Sequence, residues 1–64
     1  MMDDEKFNMS MRKFLKQVGV TSQQQIEAAV RASGKTSGMV PVKVVVSGPE
    51  IGLEHTVEGE IDLG

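Results

Sequence analysis

The chain has no cysteine, tryptophan or tyrosine, and only one histidine, two prolines and two phenylalanines among its 64 residues. Without cysteine there is no disulfide framework, no thiolate metal site and no thiol nucleophile, so the usual staples of very small domains are missing. One histidine supplies little for general acid-base or nucleophilic chemistry, which needs a base within reach of a second group. The chain therefore reads as no enzyme, with no catalytic residues, no cofactor-binding residues and no metal ligands. Phe7 and Phe14 both fall on an apolar helical stripe, leaving no aromatic side chain to stack on exposed bases. The net charge of −2 lacks the positive excess that gains from counterion release on nucleic acid. No apolar run approaches the ~20 residues that span a bilayer. Met1, Met2, Asp3, Asp4 and Glu5 are acidic where a secretory signal is basic. A cytoplasmic protein with no membrane partner is expected.

What is present is a change of hydrophobic period. Phe7, Met11, Phe14, Leu15 and Val18 recur at helical spacing, whereas Leu53, His55, Val57, Gly59, Ile61 and Leu63 alternate strictly. Asp3 or Asp4 can cap a first helix, Lys13 and Lys16 suit its C-terminal end, and Gly19 is a stop signal. Thr21 with Gln24, or Ser22 with Gln25, makes a capping box that opens a second helix. Ile26, Ala29, Val30 and Ser33 form its narrow apolar face, and Gly34 ends it. After the polar segment Lys35 to Gly38, Val40, Val42, Val44 and Val46 share one face of a strand, with Pro41 indicating an edge. Ser47 to Gly52 carries turn chemistry. The second strand sets Glu54, Thr56, Glu58, Glu60 and Asp62 on one acidic face.

These signals predict one α+β domain over residues 1–64, with two N-terminal helices (about 4–18 and 22–33) packed on a C-terminal antiparallel hairpin of strands (about 39–47 and 53–63). The expected core comprises Phe7, Met11, Phe14, Leu15 and Val18 from the first helix and Ile26 and Val30 from the second. Val42, Val44, Val46, Leu53, Val57 and Ile61 complete it from the hairpin. A chain of this length buries only about 60% of its unfolded surface, and a two-stranded sheet is barely stable alone.

The stretch from Phe7 to Glu27, containing Phe-Asn-Met-Ser and Val-Gly-Val-Thr-Ser-Gln, and the closing Leu53 to Leu63 resemble a family of small, uncharacterised proteobacterial proteins classed as a domain of unknown function. The resemblance spans nearly the whole chain and implies a coherent domain of bacterial origin. It implies no activity and no binding residues.

Three motifs invite a chemical reading. Ala29 to Thr36 satisfies a relaxed phosphate-loop pattern, but it closes a helix and precedes a strand, the reverse of the context that delivers helix N–H groups to phosphate. Val18 to Gln23 resembles the turn of a helix-turn-helix, with Gln23, Gln24 and Gln25 able to face adenine edges. Against that, Gln25 stands where an apolar residue is needed, and Leu15 where a small one permits crossing. His55 shares a strand face with Leu53 and Val57, as a partly buried, hydrogen-bonded side chain does, while Glu54 and Glu58 point the other way and form no metal triad with it.

Two charged faces remain. Lys6, Arg12, Lys13 and Lys16 form a cationic helix back with Met9 in its middle, and the acidic strand row lies at the other end of the sequence. The expected function is a small cytosolic protein-interaction or homodimerising module without catalytic activity. Lys6, Met9, Arg12, Lys13, Lys16 and Val45 are its candidate surface, and an unidentified protein or a second copy is its partner, the latter through the Val40 to Val46 edge. The alternative is a helix-turn-helix-like nucleic-acid-binding protein.

Overall fold

The computed structural model describes residues 1–64. It contains one long helix, α1 (Asp4–Ser33), a strand β1 (Met39–Gly48), a single 3₁₀ turn (Pro49–Ile51) and a strand β2 (Leu53–Asp62). The expected pair of helices is corrected to one. α1 runs through Gly19 without a break, and Gly19 has no positive φ.

The reason is local. A mid-helix glycine costs about 1 kcal/mol relative to alanine, whereas ending the helix there would orphan carbonyls on one side of the break and N–H groups on the other. The Thr21 hydroxyl does not cap a new helix. It donates to the Gln17 carbonyl at 2.8 Å, the back-bonded arrangement threonine adopts inside a helix. The true ends carry ordinary signals. The Asp3 carboxylate accepts from the Lys6 N–H at 3.1 Å, Asp4 and Glu5 fill the first turn, and Gly34 closes the helix in the left-handed region at φ 73°.

The hairpin follows the alternation. Val44 pairs with Val57, Val40 with Ile61 and Val46 with His55 on one face, while Val45 pairs with Thr56 and Lys43 with Glu58 on the other. The strands end close to their expected limits, at Gly48 and Asp62 rather than Ser47 and Leu63. The Leu63 N–H still reaches the Gly38 carbonyl at 2.9 Å, and the Gly38 N–H reaches the Gly64 carbonyl at 3.0 Å, so pairing continues past the named ends. The connection turns at Gly52, φ 64°, whose N–H donates to the Pro49 carbonyl at 3.3 Å.

The expected core is corrected as well, because no residue of the chain is buried. Val18, Ile26, Val30, Val42, Val46 and Ile61 are half-buried, but Phe7, Met11, Phe14, Leu15, Val44, Leu53 and Val57 are exposed. A helix of 30 residues is about 45 Å long and cannot fold back over the hairpin as two helices would. Only its C-terminal half meets the sheet, where Ile26, Ala29, Val30 and Ser33 line one groove with Val40, Val42 and Ile61. Every hydrogen bond is local to the helix with its caps or to the hairpin with its turn, and none joins the two.

The shape follows. The chain measures 51 × 20 × 17 Å with a radius of gyration of 15.6 Å, against about 11 Å for a compact domain of its length. Its accessible surface is 5866 Å², against roughly 4,000 Å² for a compact monomer of its mass.

Candidate functional site: an uncovered apolar helix face

The largest feature without an internal explanation is the N-terminal half of α1. Phe7, Met11, Phe14 and Leu15 stand on one side of it, with Phe7 47% and Phe14 54% exposed. Val18, the next residue along the stripe, is half-buried. The periodicity that placed these residues together is correct, but their surroundings are solvent. Their role as an exposed surface was missed because an apolar stripe reads the same whether its cover comes from the same chain or another. The signal that could have found it is length. Once Gly19 is read as helical, the stripe extends well past anything that two ten-residue strands can cover.

The candidate surface residues are distributed over two elements. Lys6, Arg12, Lys13 and Lys16 lie on the side of α1 away from the apolar stripe and are all exposed, with Met9 among them at 73%. Val45 is on β1, on the face of the sheet turned away from the helix, and is 55% exposed. The structure therefore brings the four cations and Met9 together and leaves Val45 apart.

The other motifs resolve simply. The turn of the proposed helix-turn-helix is not formed, so Gln23, Gln24 and Gln25 lie in the middle of a continuous helix rather than opening a recognition helix. The phosphate-loop-like segment is the end of α1 and the polar connection after it; Ser33 caps this end by donating to the Val30 carbonyl at 2.7 Å and accepting from the Lys35 N–H at 3.1 Å. His55 is exposed and without a hydrogen-bond partner, which corrects the expectation of a partly buried, bonded side chain; it faces Val46 across the ladder. No three His, Cys, Asp or Glu side chains converge on one point. No helix is long and apolar enough to cross a membrane.

Concavities are shallow and open. The best-walled one is the apolar groove beneath Ile26 and Val30, which is the seat of the hairpin on the helix rather than a place with convergent polar groups.

No curated protein and no solved structure matches this chain. A family model does, over residues 2–64, and its description is a family of unknown function, DUF6494. The chain belongs to that family.

Proposed function

We propose that this chain is a protein-interaction module without catalytic activity, working in the bacterial cytosol without a cofactor, and that the uncovered apolar face of α1 is its docking surface. One observation carries the reading: none of its residues is buried, while large apolar side chains line one side of a single helix. Hydrophobic burial is the main favourable contribution to folding, at roughly 25 cal/mol per Å² of apolar surface, and this chain has left much of it unused. A partner that covers Phe7, Met11, Phe14 and Leu15 supplies it.

The test combines sedimentation with circular dichroism across concentration, on wild type and on Phe14→Asp. A docking surface predicts that association, helicity or both depend on concentration or on an added apolar-surface probe, and that Phe14→Asp abolishes the dependence. A rigid monomer that melts cooperatively at a concentration-independent temperature and ignores Phe14→Asp would refute the reading.

The exposed row of Lys6, Arg12, Lys13 and Lys16 supports a second reading, nucleic-acid binding through the cationic back of α1. It no longer involves a helix-turn-helix. Retention on heparin that falls steeply with salt, and is lost when Arg12 and Lys13 become glutamine, is its expected signature.

A further inference from the structure

Resting on the interaction reading, we propose that the occupant of the uncovered face is a second copy of this chain, whose α1 lies antiparallel to the first in a single register. α1 carries an unbroken heptad seam beside the face that meets the hairpin. Its steps alternate between four and three residues from Phe7 through Met11, Phe14 and Val18 to Thr21, Gln25, Ala28 and Ala32. At 100° per residue this seam lies roughly a quarter turn from Ser22, Ile26 and Val30, and the hairpin borders it only at Thr21 and Gln25, which line one groove with Val42 and Val44. Thr21, Gln25, Ala28 and Ala32 are all exposed.

The seam is large at one end and small at the other. Laid antiparallel, one register places Phe7 opposite Ala32, Met11 opposite Ala28, Phe14 opposite Gln25 and Val18 opposite Thr21 throughout. Each layer then pairs a larger side chain with a smaller one, and the helices keep one separation along their length. A parallel pair would stack phenylalanine on phenylalanine at one end and alanine on alanine at the other, forcing the helices to splay. The antiparallel register also overlaps nearly the whole helix.

Charge agrees. Between Asn8 and Val30, the seam and the two rows flanking it contain no charged residue; Arg12, Lys13, Lys16 and Glu27 all lie outside them. The dipoles of the two antiparallel helices also oppose. Area agrees too. A strip as long as the helix and as wide as its ~10–12 Å diameter covers about 500 Å². The β1 edge at Val42 and Val44, which shares a groove with Thr21 and Gln25, adds to this towards the roughly 800 Å² per partner of a standard interface. The chain's excess over a compact monomer, roughly 1,900 Å², more than accommodates it. A two-fold axis across an antiparallel pair sets both hairpins on the same side of the helices.

The test uses the chain's lack of cysteine. Lys6→Cys, exposed and off the seam, takes one nitroxide label, and the label-to-label distance is measured by pulsed dipolar spectroscopy near millimolar protein. The antiparallel register predicts a separation of about 40 Å along the axis. A separation under about 20 Å means a parallel pair and overturns the register while leaving self-association intact. A sample with no dipolar signal and a monomer mass overturns the second copy as occupant. The Phe14→Asp comparison then decides the interaction reading separately. A second pair of variants checks the seam. Gln25→Ala, which removes an amide from the layer with Phe14, should tighten dimerisation at least threefold, and Gln23→Ala, outside the seam, should leave it unchanged. Equal effects overturn the seam.

Discussion

The two halves of α1 carry the same kind of apolar periodicity and meet opposite fates. From Ser22 onwards the helix has its own hairpin against it, and Ile26 and Val30 are half-buried beside Val40, Val42 and Ile61. Before Val18 it has nothing, and Phe7, Phe14 and Leu15, the bulkier side chains, are the exposed ones. Amphipathicity records that a face is to be covered; it does not record by what. Here the smaller residues make the intramolecular contact, and the larger ones stand uncovered.

The contrast can be broken most forcefully by placing a charge in each half. Phe14→Asp should weaken self-association at least 100-fold, since an unpaired carboxylate would be buried only in the pair. It should leave the hairpin's amide signals in place. Ile61→Asp should do the reverse, costing about 2 kcal/mol of hairpin-on-helix stability measured by denaturant at low concentration. If both substitutions disturbed the same set of amides equally, the halves would not be separate.

Two glycines give a smaller and cleaner comparison. Gly34 sits at φ 73°, so Gly34→Ala should destabilise by about 1–2 kcal/mol in chemical denaturation. Gly19 has helical backbone and nothing within 4 Å of where a Cβ would stand. Gly19→Ala should therefore stabilise by about 0.5–1 kcal/mol and raise helicity. A loss of stability there would restore a helix end at Gly19.

Those glycines also mark where the sequence was readable. Val40, Val42, Val44 and Val46 recur at every second residue, as do Leu53, His55, Val57, Gly59 and Ile61, so the faces of the hairpin were legible, though its cross-strand pairs were not. A one-residue slip would turn Val40, Val42, Val44 and Val46 outward. Gly34 was legible because the apolar stripe stops with it and a polar stretch follows. Gly19 was not, because the stripe continues through it from Val18 to Ser22, Ile26 and Ala29, while Thr21 offers a hydroxyl that serves a cap or a helix interior equally well. The local signals for stopping and continuing differ by about 1 kcal/mol, less than the cost of a broken hydrogen-bond ladder. The candidate surface was partly legible. The cationic row and Val45 are exposed, but so is most of the chain, and their exposure does not single them out. Phe7, Met11, Phe14 and Leu15 read as interior because hydropathy does not say whether an apolar stripe is covered.

The central claim is that the N-terminal half of α1 is covered by a second chain alone, whereas the C-terminal half also has its own hairpin against it. Amide hydrogen exchange, followed residue by residue at low micromolar and at millimolar protein, tests this most directly. The account predicts that protection from Phe7 to Val18 rises strongly with concentration, while protection across the β1–β2 ladder and from Ile26 to Val30 rises far less. Equal protection in the two halves of the helix, unchanged between the two concentrations, would contradict it.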